Sequence, residues 1–280
     1  MVDFRYHALS LVAVFLALGL GIVLGVTVGD SLVSEADQNL RDSLRDDVTE
    51  AREQVRDERA LGVRRDEVID EAAPFVADGR LRGTRTAFVA LGEVPGNVAD
   101  NVQDAVESAG GELTRTVVLS PPDFPRARGR GRAERQGRAW GRLIEQGGAL
   151  LRRARGDEGE RVSGNPFGST DVVVAYRDPP DEPGDDEAAR ELELREAFED
   201  GLFDGLRSDV IGVEAMDTDP SQAGWYEDRV AASVDNADLA VGRLALVLLI
   251  EQAVLAEITG EPPEGSYGYK DTADRALPDL

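Results

Sequence analysis

The sequence predicts an α/β protein built as an N-terminal transmembrane helix, an amphipathic or coiled-coil helix, and a Rossmann-like, mostly parallel α/β domain. Three observations predict it. An uncharged apolar run fills residues 8–28, a narrow apolar stripe set in charge follows from Val33 to Val55, and beyond Gly79 short β-branched runs alternate with helical stretches. The expected boundaries are 1–29 for the anchor, 30–74 for the juxtamembrane helix and 79–280 for an extracytoplasmic domain with a charged insertion near 121–137.

The run from Ala8 to Val28 would measure roughly 31 Å as a helix, close to the thickness of a bilayer core. A cleavable signal peptide has a shorter apolar core and a small-x-small cleavage site, which is missing here. Arg5 precedes the run, and the ten residues after Val28 carry acids but no Lys or Arg, so the expected topology is single-pass, N-terminus inside, in the cytoplasmic membrane. Ala13, Ala17, Gly21, Gly25 and Gly29 fall four apart. Small residues in such register let two helices approach closely in lipid, giving a helix-dimer face and a homodimer; the plainer reading is that glycine is common in membrane helices.

In the second segment Val33, Ala36, Leu40, Leu44, Val48, Ala51 and Val55 form one stripe at spacings of three and four. It fits a short parallel coiled coil or a solitary amphipathic helix, with Gly62 and Pro74 marking its decay.

The third segment opens with "TRTAFVAL", a helical stretch from Asn97 to Ala109, and "ELTRTVVL", a strand–helix–strand unit. A helix around Gly137–Arg155, a strand at Asp171–Tyr176, a helix at Glu187–Leu206 and a strand at Asp209–Ala215 continue the alternation. The apolar core of Leu244–Ile258 is bounded by Arg243 and Glu251, which favours a buried helix over a second span.

Charge is distributed unevenly. The chain has a formal net charge of −24, which resists association with nucleic acid. Residues 126–155 nevertheless hold ten arginines against Glu134 and Glu145. Arg126, Arg128, Arg130, Arg132, Arg135 and Arg138 are therefore candidate anion-binding residues, because a guanidinium grips phosphate or carboxylate with two donors. A solvated loop leading into an arginine-rich helix explains the same composition. The acidic run "DPPDEPGDDE" reads as a loop.

Catalytic constellations are missing. The one histidine, His7, lies beside the apolar run, so no Ser-His-Asp triad is expected in the α/β domain. Neither G-x-S-x-G nor a phosphate-binding glycine loop occurs, and "GEVPG" follows the first strand instead. Asp235 and Asn236 precede the helix that begins near Asp238 and are expected to cap it. The expectation is of a non-enzyme with no catalytic residues and no bound cofactor.

The N-terminal "DFRYHALSLVAVFLALGLGIVLG", the later "SVDNAD" and "GRLALV", and the terminal "GSYGYK" followed by "ALP" together resemble the actinobacterial copper transporter family. The resemblance implies an envelope protein of copper transport or homeostasis, with copper as a possible metal by that resemblance alone and an envelope or cell-division protein as partner. Relatives also look like partners of a cell-separation system that controls peptidoglycan hydrolysis. Copper(I) selects Cys and Met and copper(II) favours imidazole, whereas this chain has no Cys, one His and two Met. A high-affinity copper site of its own is therefore not expected. The alternative role is a noncatalytic dimeric scaffold regulating envelope remodelling or cell separation.

Overall fold

In the computed structural model the described residues are 4–119, 129–148, 162–165, 167–270 and 273–278. The chain divides into two compact units, Met1–Arg64 and Arg65–Leu280. The described residues of the first unit lie in α1, a single helix from Phe4 to Ala77 that runs on through Gly62 and Pro74 rather than decaying there. Asp78 N–H still bonds to the Pro74 carbonyl, so proline leaves the ladder intact on its C-terminal side.

The expected transmembrane helix is overturned. Among the described residues no helix is long and apolar enough to cross a membrane. Beyond Gly29 the same helix is densely charged, and its apolar character is confined to its N-terminal part. Side chains 25–43 lie outside the described set, and with them Val33, Ala36 and Leu40 of the stripe.

The second unit holds β1 (Arg85–Leu91), α2 (Gly96–Ser108), β2 (Glu112–Leu119), α3 (Arg130–Gln146), β3 (Val162–Gly164) and β4 (Val172–Arg177). It continues with α4 (Asp186–Gly205), β5 (Val210–Val213), α5 (Ala223–Tyr226), β6 (Ala232–Val234), α6 (Ala240–Thr259) and β7 (Gly265–Tyr267). The seven strands are ordered β3-β2-β1-β4-β5-β6-β7. All neighbours are parallel except β2 and β3. Strand order therefore reverses between β1 and β4, which is where open α/β sheets form a crevice beyond their carboxyl ends.

Burial on both faces explains the continuous apolar runs of β1 and β4. One core layer joins Phe88, Val174, Ile211 and Val234 to Val102 of α2 and Leu246 and Ile250 of α6. The opposite layer joins Val89, Val173 and Val117 to Ile144 of α3 and Phe198 and Leu202 of α4. As a result α6 is buried along most of its length inside the domain.

The arginine-rich segment enters the fold as α3. It begins at Arg130, earlier than the periodicity suggests, and residues 120–128 lie outside the described set. Helices α3 and α4 run parallel and meet through four glycines. A Cβ on Gly137 would lie 1.9 Å from the Phe198 carbonyl oxygen, and one on Gly201 would lie 2.0 Å from that of Glu134. At Gly141 and Gly205 the corresponding gaps are 2.2 Å to Leu202 O and 2.4 Å to Arg138 O. Any side chain at these positions would push the helices apart, so glycine sets their approach.

Candidate functional site at the carboxyl end of the sheet

The crevice between β1 and β4 is the place to look for a ligand, and the chain's own groups occupy it. After β1 the backbone turns at Gly92 with φ +110°, and a Cβ there would lie 2.4 Å from the Asp178 Cβ. Only glycine fits. From α4, Arg195 reaches over the opening and donates through Nη2 to the carbonyls of Asp178 at 2.6 Å and Leu91 at 3.2 Å. Its Nε donates to Glu199 Oε1 at 2.8 Å.

Glu199 is fully buried and also accepts from Arg177 Nε at 3.0 Å through its other oxygen. Arg177, the last residue of β4, donates through Nη1 to Gln222 Oε1. Its Nη2 is buried with no hydrogen-bond partner. The guanidinium carbon lies 4.3 Å from the Trp225 ring centroid, and Arg229 lies 4.8 Å from it. Stacking on an aromatic face supplies part of what the missing hydrogen bond does not. The Arg177 N–H donates to the Tyr226 hydroxyl, which reaches the carbonyls of Ala175 and Val213. Burial, above all, pushes the Tyr226 hydroxyl far above its ordinary pKa, so it stays a neutral donor.

A second network closes the ends of β5, β6 and β7. Buried Glu214 accepts from Ser221 Oγ at 2.7 Å, from the Gln222 N–H and from Lys270 Nζ at 2.7 Å. The ammonium also donates to the Thr218 carbonyl at 2.9 Å. Asp235 receives the N–H groups of Tyr269 at 2.9 Å and Lys270 at 2.8 Å. Gly268 is required beside it, since a Cβ there would fall 1.7 Å from Asp235 Oδ1. Burial, followed by the fields of Asp178, Glu214 and Asp217, pushes the Tyr176 hydroxyl up to about 12.

Two expected caps are thus reassigned. The N-cap of α6 is Leu239, without a side-chain hydrogen bond. Asp235 instead ties down the "GYK" turn, Asp238 accepts from the Met216 N–H at 2.7 Å, and the Asn236 side chain is buried without a partner. Asp235 prefers the β7 turn because two N–H groups converge on its two oxygens.

Of the residues singled out in the sequence, Ala13, Ala17 and Gly21 are exposed on α1, and a Cβ on Gly21 would meet nothing within 4 Å. The surroundings of Gly25 and Gly29, and all of Arg126 and Arg128, lie outside the described residues. Arg130 pairs with Asp200 at 3.4 Å, and Arg138 pairs with Asp204 at 2.9 Å and Glu134 at 3.1 Å. Arg132 and Arg135 point outward from α3. Of the four described arginines, Arg130 and Arg138 are thus tied to acids of α4 while Arg132 and Arg135 stay exposed.

Sequence reasoning missed Arg177, Arg195, Glu199, Glu214 and Lys270. Only Lys270 carried a signal, as the single lysine of the chain. Chemically, the carboxyl end fastens strands and loops to one another, with each buried carboxylate holding two or more donors. Among the described residues no group of three or more His, Cys, Asp or Glu side chains is arranged to hold a metal ion. Concavities lie elsewhere, among them one of about 600 Å³ beside Phe203, Asp209 and Pro262. One of about 480 Å³ flanks Tyr226, Ser233 and Ser266, and one of about 410 Å³ lies between Pro74, Ala105 and Arg243.

A family model described as copper transport outer membrane protein, MctB, matches residues 1–164. No curated protein matches the chain.

Proposed function

We infer that this chain, which belongs to the MctB family and through it to copper transport or homeostasis, acts there as a noncatalytic envelope scaffold rather than as a tight copper ligand. One observation carries the reading. The β1–β4 crevice, where an α/β sheet would seat a substrate, is spanned by Arg195 and backed by Glu199 and Arg177. The inventory of soft ligands supports it, because past His7 only Met216 offers sulfur and no imidazole remains. Copper is then a cargo or signal handled with partner proteins, and the envelope location follows the family description.

Titrating the purified full chain with copper(I) against a chelator of moderate strength tests this. The expected result is no stoichiometric uptake, with weak copper(II) binding that other divalent ions displace equally well, because oxygen ligands without enforced geometry discriminate poorly. Saturable one-to-one copper(I) binding that Met216→Leu abolishes would overturn the scaffold role.

Exposed Leu44, Val48 and Val55, spaced four and seven apart on α1, favour a scaffold that is itself a homodimer. Pairing of this stripe with a second copy predicts that Leu44→Asp with Val48→Asp shifts the sedimenting species towards monomer.

A further inference from the structure

The outer surface of the α3–α4 layer carries two stripes of opposite charge side by side. On α3, Ala133, Gly137, Gly141 and Ile144 are buried, and Arg132, Arg135 and Arg142 fall about half a turn away, exposed. Among the described residues no ion pair engages these three arginines. On α4, Asp186, Glu193 and Asp200 recur every seven residues with the first two exposed; exposed Arg190 falls between them, and exposed Asp185, Glu187 and Glu191 around it keep this end acidic. Asp200 and Asp204 hold Arg130 and Arg138 of α3, which fixes this acidic stripe along the border of the arginine stripe.

The two stripes are offset along the helix axes. Arg130 at the start of α3 meets Asp200, so Glu193 and Asp186 extend about 10 and 21 Å beyond it towards the α4 N-terminus. One end of the layer is thus basic and the other acidic. We propose that this surface is a self-complementary interface, on which the Arg132–Arg135–Arg142 stripe of one copy of the chain meets the Asp186–Glu193 stripe of a second copy, and reciprocally.

A two-fold axis normal to the layer places opposite charges together at both ends, the isologous arrangement in which residue i meets j and j meets i. An anionic lipid surface is the competing partner. It would attract the arginines but face the acidic stripe as well, whereas a second copy matches both. Opposed charges of this kind set orientation and encounter rate, and salt weakens them. The glycine-locked approach of α3 to α4 holds the two stripes in fixed register.

The test uses the full chain in two charge-reversed forms, Arg132→Glu with Arg135→Glu, and Asp186→Arg with Glu193→Arg. All four residues are exposed, so circular dichroism should be unchanged. Sedimentation equilibrium of each form alone should show self-association weakened by about tenfold or more, and an equimolar mixture of the two should restore it at low salt. Both forms carry Leu44→Asp with Val48→Asp as background, so the α1 pairing proposed above contributes to none of these readings and is tested separately. Association unchanged in either form, or not restored in the mixture, would overturn the interface. So would loss of binding to vesicles of anionic phospholipid in the arginine variant with self-association intact, which would assign the stripe to a membrane surface instead.

Discussion

Removing the Glu199 carboxylate would strand two guanidiniums at once, since Arg177 and Arg195 both rely on it. Glu199→Ala should therefore lower the unfolding free energy by about 3–5 kcal/mol in urea titration at neutral pH. By contrast Arg130→Ala removes a largely exposed pair and should cost about 1 kcal/mol or less. Equal losses would contradict the burial argument. Asp209 offers the opposite case. Burial, and then the charge of Glu257, raises its carboxyl pKa above the ordinary 3.8, so the folded state binds the proton more tightly than the unfolded chain. Its contribution to stability is full below pH 3.8 and is lost as pH rises through the raised folded value. Asp209→Asn should raise the melting temperature at pH 7 and leave it nearly unchanged at pH 3. An equal gain at both values would show that ionisation is not the cause. None of these residues announces itself in the sequence, because Glu199 and Asp209 differ from dozens of solvated acids only in what the sheet brings against them.

At the level of elements, small residues four apart form a helix-packing seam between Gly137–Gly141 and Gly201–Gly205. The same spacing is hidden there in "GRAWG" and "GLFDG", inside charged helices whose composition masks it. Gly137→Ala and Gly201→Ala should each cost about 3 kcal/mol or more, because a backbone oxygen lies within 2.0 Å of the new methyl group. Gly131→Ala is the matched control on the exposed start of α3, where the nearest atom is 3.7 Å away, and should stabilise by up to about 1 kcal/mol. Differential scanning calorimetry of the three variants checks the contrast. Strands β1 and β4 were legible because burial on both faces demands long apolar runs. Strands β3, β6 and β7 have three residues each, too few to register a period of two.

For the whole molecule, every residue of the two core layers lies at or beyond Ala77, inside the second compact unit. A chain beginning at Arg65 should unfold cooperatively within a few degrees of the full chain, measured by thermal melting followed by circular dichroism. A broad, noncooperative melt would mean that the first unit contributes to the core. The α/β alternation was readable because connectivity follows from apolar runs and breaks. The plugging of the crevice was not, because Arg195 meets Leu91 and Asp178 only once β1 and β4 are adjacent.

The single lysine has a practical consequence. Its side chain is 14% exposed, and its ammonium is clasped by Glu214 and Thr218. An amine-acylating reagent therefore has only two targets on the intact chain, the terminal amine and Lys270. The first should react at once and the second only when the carboxyl-end loops part, so the slow phase of acylation is a clock for that opening. Its rate, followed by mass spectrometry, would report how often the closed end of the sheet breathes, without any engineered label.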